Sequence, residues 1–249
     1  MRLIITDDYG TLSRAGADLI ADLIATEPTA RIILATGETP MGVYGELAAR
    51  RRRGEFDASH ARIFQLDAYL GLGADDHRSL YGWMKRSFLD PLAVPEDNVV
   101  RLRGDTRNPE EACRAYDAAI EAAGGIDLAV LGLGPNGHLG FNEPPADDDA
   151  PTRVVELTPA SVESNARYWG GRDRVPRQAL TAGMTTLLAA RRTLLVVSGP
   201  HKRDILRRAV EGPITPDVPA SYLRRAAGVT VLADRAAWPG PAAASIGNV

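Results

Sequence analysis

The chain has 249 residues, 45% of them hydrophobic, and a formal net charge of -3 from 29 basic and 32 acidic side chains. That length and apolar share suffice for one large α/β domain over residues 1–249. The interspersed charges build no field of one sign for nucleic acid or an anionic membrane, which leaves a small charged metabolite as the better-matched partner.

Cys113 is the only cysteine, which excludes an intramolecular disulfide framework or a thiolate metal cluster and suits a reducing compartment. The opening MRLIITDDYG carries an apolar run too short for a signal peptide, and no stretch approaches bilayer length, so the expected location is cytoplasmic. Along the chain, LIIT (3–6), RIILA (31–35), RIFQL (62–66), IDLAVLGL (126–133), TLLVVS (193–198) and VTVLA (229–233) read as buried strands. Between them AGADLIADLIAT, YGELAARRRR, SLYGWMKRSFLDPL, PEEACRAYDAAIEAA and KRDILRRAVEG place apolar residues at helical spacing. Strand and helix alternate, which predicts a mostly parallel sheet covered on both faces. The Arg50–Arg53 run reads as a solvated helix end. PPADDDAPTR, from Pro144 to Arg153, reads as a loop inside the domain. The small-residue-rich C-terminal segment AAWPGPAAASIGNV is expected to be poorly ordered.

Four of these strands run directly into a polar or glycine-containing cluster: Thr36-Gly37-Glu38-Thr39-Pro40, Asp67-Ala68-Tyr69, Gly134-Pro135-Asn136-Gly137-His138 and Ser198-Gly199-Pro200-His201-Lys202. In an open parallel sheet the carboxyl ends of the strands share one edge, where ligands bind, so the four clusters are expected to form one site. In TGETP, Gly37 permits a tight turn, Thr39 reads as an N-cap and Pro40 as the first helical residue. Free N–H groups there would suit a phosphate. Glu38 opposes this unless its carboxylate points away. His138 and Glu143, following the GPNGH turn, can handle a proton near neutral pH. Asp67 is either a general base or a loop cap. Lys202 and Arg167 are either phosphate ligands or solvated charges.

Gly132-Leu-Gly134-Pro-Asn-Gly137 also fits a dinucleotide-binding fingerprint, with Glu156 about twenty residues on. That reading needs a helix beginning at Gly137, and Pro144, Pro145, Pro151 and three consecutive aspartates forbid one of several turns.

ATGETPMGVY, FQLDAYLGL, IDLAVLGLGPNGHLGFNEP, SNARYW, VPRQALTAGMTTLL, GPHKRDILRRAVEG and VPASYL occur in this order over roughly residues 30 to 225. Together they resemble the glucosamine-6-phosphate deaminase/isomerase family, with the FNEP-containing motif the most specific; the related 6-phosphogluconolactonases share a GPDGH-like turn. The resemblance implies a Rossmann-like α/β/α sandwich that converts an aminohexose 6-phosphate to a ketohexose 6-phosphate and ammonia without metal or organic cofactor. It casts His138, supported by Asn136 and Glu143, in ring opening, and Asp67 as the base moving a proton between C2 and C1. Thr36, Gly37, Glu38, Thr39, Gly137, Arg167 and Lys202 become the substrate and phosphate contacts, and residues from about 145 to 176 a mobile lid. Three positions depart from the family. It commonly has aspartate at Asn136, a small residue at Glu38 and an acid at Ala68. A galactosamine 6-phosphate enzyme, a phosphogluconolactone hydrolase and a non-catalytic sugar-phosphate binder are the alternatives, and relatives include both monomers and homo-oligomers.

Overall fold

The computed structural model describes residues 1–240. Strands Arg2–Thr6 (β1), Arg31–Leu34 (β2) and Arg62–Gln65 (β3) alternate with helices Tyr9–Thr26 (α1) and Glu38–Arg52 (α2). The chain then forms the three-residue strand Asp67–Tyr69 (β4), helices Leu80–Met84 (α3) and Asp90–Leu92 (α4), strand Val99–Val100 (β5), helix Pro109–Ala123 (α5) and strand Leu128–Gly132 (β6). Next come Arg153–Glu156 (β7), Pro159–Trp169 (α6), Gln178–Thr181 (β8), Met184–Ala189 (α7), Thr193–Val197 (β9), Arg203–Glu211 (α8) and Val229–Asp234 (β10). No helix begins at Gly137; the chain runs from there without one to β7.

Seven strands form a wholly parallel sheet in the order β1-β10-β9-β6-β2-β3-β5. Successive side chains of a strand point to opposite faces, and both faces are buried here. Ile32 and Leu34 of β2 pack with Leu12, Ile20, Tyr44 and Phe88, while Ile33 between them packs with residues such as Cys113, Tyr116 and Leu206 on the other side. This is the three-layer α/β/α sandwich of Rossmann-like type, and the six predicted strands of the main sheet sit within a residue or two of their predicted bounds.

Three features depart from expectation. A second, three-stranded antiparallel sheet, β4-β8-β7, was not predicted. The helix read over SLYGWMKRSFLDPL contains a π-helical turn, Lys85–Leu89, between α3 and α4. Ala237 and Trp238, near the start of the segment expected to be poorly ordered, are instead buried, and the Ala237 N–H donates to Asp234; residues 241–249 of that segment lie outside the described residues.

The lesser sheet packs with α6 around its own cluster of Tyr69, Phe141, Leu157, Val162, Trp169 and neighbours. Asn142 ties it down. Fully buried, it donates to the carbonyls of Leu139 and Ala182 at 2.9 Å and accepts from Arg153 of β7 at 2.7 Å.

Candidate active site

The loops after β9, β6, β2 and β3, four adjacent strands of the sheet, open onto one cavity of about 450 Å³. Between β6 and β2 the winding reverses, since β3 follows on one side and β9 on the other. Such a reversal forces consecutive loops apart and leaves a crevice between them.

At the cavity's inner wall stands Asp67. The chain leaves the main sheet after β3, and Asp67 opens β4 opposite Thr181. Its residue is 9% exposed, nothing among the described residues donates a hydrogen bond to its carboxylate, and burial pushes the carboxyl up to about 7. A group with that affinity can both take and return a proton near neutrality. Of the two readings the sequence left open for Asp67, capping is not the one it fulfils.

His138 also lines the cavity. Its imidazole lies so close to Gly134 that a β-carbon there would stand 2.1 Å from the ring, so the turn needs glycine at that position. Behind the ring, His138 Nδ1 meets Glu143 Oε2 at 3.2 Å, and the Asn136 amide donates to the same oxygen at 2.7 Å. Burial would raise the Glu143 carboxyl, but the adjoining imidazole, the nearby Ser161 hydroxyl of α6 and the Asn136 amide outweigh it and hold the group down at about 2. Ser161 Oγ and Glu143 Oε1 are both buried and have no well-formed hydrogen bond. Glu143 therefore stays a carboxylate and fixes the ring by Nδ1, which leaves Nε2 for the cavity.

Two cations face the cavity from different elements. Lys202, in the turn before α8, donates to the Leu133 carbonyl at 2.6 Å, and burial together with the Arg167 charge brings its ammonium down to about 8. Arg167, on α6, reaches Glu38 at 3.0 Å and donates to the Tyr168 hydroxyl at 2.7 Å. Tyr168 meets Trp83 edge-on at 5.2 Å, so the α6 helix touches the opposite bank of the cavity.

Between these banks lies the TGETP loop, with one correction to the sequence reading. Gly37, not Thr39, is the N-cap of α2, so Glu38, Thr39 and Pro40 are its first three helical residues. The physical reason is backbone shape: Gly37 has φ +123°, which lets the chain turn into the helix two residues early. The first N–H groups of a helix have no intrahelical partner. The Tyr9 hydroxyl secures this turn from outside, bonding the Glu38 and Thr39 carbonyls at 3.0 Å and accepting the Gly42 N–H at 2.8 Å.

Of the residues singled out from the sequence, Thr36, Gly37, Glu38, Thr39, Asp67, His138, Arg167 and Lys202 line the cavity. Asn136 and Glu143 stand behind His138. Gly137 is placed elsewhere: its carbonyl accepts from Ala220, and a β-carbon on it would meet Val218 at 2.8 Å. The sequence reading missed Asp234, buried at the end of β10, which accepts from the Ser198 hydroxyl and the Gly199 N–H and so holds the loop that carries Lys202. Its signal was present, because Asp234 ends a predicted strand in the manner of Asp67. Among the described residues no group of three or more His, Cys, Asp or Glu side chains is placed to hold a metal ion, and no helix is long and apolar enough to cross a membrane.

The sequence profile of the glucosamine-6-phosphate isomerases/6-phosphogluconolactonase family matches residues 10–232. The glucosamine-6-phosphate deaminase of Thermoanaerobacter pseudethanolicus is 37% identical over 237 residues, covering 95% of this chain and 94% of the relative. The chain belongs to the glucosamine-6-phosphate deaminase family. Glucosamine-6-phosphate deaminase 2 of Bacillus subtilis is 38% identical over 236 residues, covering 94% and 95% of the two chains. A solved monomeric glucosamine-6-phosphate deaminase superposes with a TM-score of 0.93 at 36% identity, over 95% of this chain and 98% of the other. The 6-phosphogluconolactonase of Trypanosoma brucei shares the fold, with a TM-score of 0.78 at 18% identity over 95% of this chain and 97% of the other. The family is one of deaminases and isomerases acting on amino-sugar phosphates.

Proposed function

We propose that this protein converts an aminohexose 6-phosphate, glucosamine 6-phosphate first, to the ketohexose 6-phosphate with release of ammonia. The observation that carries the reading is one cavity holding a carboxyl raised to about 7, a glutamate-backed histidine and two converging cations. The identity to the solved deaminase, twice that to the lactonase, favours it over ester hydrolysis.

In this mechanism Arg167, Lys202 and the N–H groups at the start of α2 hold the phosphate. His138, held by Glu143 and through it by Asn136, shuttles a proton through Nε2 to the ring oxygen, which opens the sugar to its aldehyde. Asp67 as carboxylate takes the C2 proton to give the C1–C2 enolamine and returns it to C1, while one ammonium proton passes from nitrogen to the C1 oxygen, leaving a hydroxyl at C1 and an imine at C2. Water adds to C2, the C2–N bond breaks, and ammonia leaves with the ketone formed. The segment from about 145 to 176, which carries α6, acts as the lid within a single catalytic domain.

The deciding assay is coupled detection of ammonia from glucosamine 6-phosphate and galactosamine 6-phosphate, side by side, with Asp67→Asn as control. Release expected from glucosamine 6-phosphate should fall at least about 10³-fold in the variant, as loss of a general base and its charge requires. Release from neither epimer by the wild type would sink the proposal, and release from the galactosamine compound alone would reassign the sugar.

A further inference from the structure

Glu38 is a carboxylate at a place built for an anion. It is the first helical residue of α2, and its Oε2 sits 3.0 Å from Arg167 Nη2 on the lid helix. A carboxylate is itself favoured at a helix N-terminus. Both of its attractions, the helix start and the guanidinium, are therefore ones that a sugar's phosphate would use. The other cation behaves differently: Lys202 is tied to the Leu133 carbonyl and has no carboxylate partner among the described residues.

We infer that Glu38 is a displaceable counter-ion for Arg167, competing with the phosphate of the ligand for the same guanidinium and swinging off when it binds. The inference rests on the assignment of Arg167 to the phosphate. Glu38 and Arg167 side chains are each 60% exposed, so Glu38 has room to leave, and an exposed pair of this kind is weak enough to be exchanged for a dianion. While paired, the contact bridges α2 and α6 across the cavity mouth. Once released, Glu38 remains nearby and repels the bound phosphate, which weakens phosphate binding and hastens its release. The family's small residue at this position would impose no such competition.

The test is calorimetric titration of inorganic phosphate into four proteins: wild type, Glu38→Gln, Arg167→Ala and the double variant. Glu38→Gln is expected to tighten phosphate binding by about three- to tenfold at low salt, with the gain shrinking as salt rises. In the Arg167→Ala background the same change should gain less than about twofold, because the guanidinium that both anions contest is gone. A full gain in that background would show general repulsion and overturn the counter-ion. No gain in either background, with Arg167→Ala alone still weakening binding, would overturn it while leaving the phosphate site standing. Binding unchanged in Arg167→Ala, or no binding in any of the four, would remove the phosphate assignment and the inference with it.

Discussion

Asp67, buried, and Lys202, half-buried, are ionisable groups on one cavity, and burial moves them towards each other: the acid rises to about 7 and the ammonium falls to about 8. For Asp67 the sign of the consequence follows from linkage. Its folded value lies above the unfolded value near 3.8, so the folded state binds the extra proton between those limits, and stability drops as pH rises from about 4 to about 7. Above that range the ionised carboxylate costs at most about 4 kcal/mol. Asp67→Asn should therefore stabilise the protein at pH 8 by a large part of that amount and by little at pH 4, read from urea unfolding midpoints at the two pH values. Equal midpoints at pH 8 would mean that the carboxylate is not strained by its burial. At this scale most of the site was legible, because a polar residue at the end of an apolar strand is visible in sequence. What burial does to Asp67 depends on tertiary neighbours such as Thr181 across the β4–β8 pair, and which oxygen of Glu143 meets His138 depends on how the intervening turn folds, and neither is legible there.

At the scale of elements, the predicted helices follow from periodicity and the six predicted main-sheet strands from apolar runs, even where, as in β2 and β3, they have only four residues, while the strands of the lesser sheet do not. β4, β7 and β8 have three or four residues each, too few for alternation to register. Their pairing is decided by tertiary context, as when Ala182 donates to the Leu66 carbonyl at 2.8 Å where the two sheets meet. The N-cap of α2 was misplaced for a related reason: Thr39 has the right side chain, but the turn at Gly37 and the Tyr9 hydroxyl, 30 residues away, set the helix start. The lid proposed above, residues 145–176 with β7 and α6, packs with β4 and β8 of the lesser sheet. Their core is separate from the two that clasp the main sheet, and Trp169 anchors it, edge-on to Tyr69 at 5.3 Å with the Arg78 guanidinium 4.9 Å from its ring. Units with few buried contacts open below the global unfolding free energy. Trp169→Ala should raise trypsin cleavage at Arg167, Arg172, Arg174 and Arg177 by about tenfold or more, since emptying a buried tryptophan site costs about 3 kcal/mol or more. Peptide mapping should find the main-sheet arginines still protected. Simultaneous loss of protection across the whole chain would show that the segment does not open by itself.

For the whole molecule, the topology makes the site and the stability one problem. The four loops belong to the four adjacent strands β9, β6, β2 and β3, and Asp234 ties a fifth, β10, to the Lys202 turn. No two of these loops are neighbours in sequence, so the cavity exists only in the folded chain, and a ligand that spans it binds the native state alone. Such a ligand stabilises by RT ln(1 + [L]/Kd), about 2.7 kcal/mol at a hundredfold excess over Kd. For a chain of this size that is on the order of 5–10 °C in Tm. Asp67→Asn is the right protein for the measurement, since it retains the proposed phosphate ligands, should not turn the sugar over, and lacks the carboxylate whose own titration would overlap. Its Tm should rise with glucosamine 6-phosphate at pH 7. The rise should then shrink above pH 8, because Lys202, lowered by burial and by Arg167, begins to lose its proton there, and binding a phosphate must first restore it. Affinity should fall about tenfold for each further pH unit until the phosphate-bound lysine titrates in turn. Lys202→Met should bind more weakly at pH 7 and show no such decline. A rise that is flat from pH 7 to 9.5 in the lysine-containing protein would take Lys202 out of the phosphate clamp.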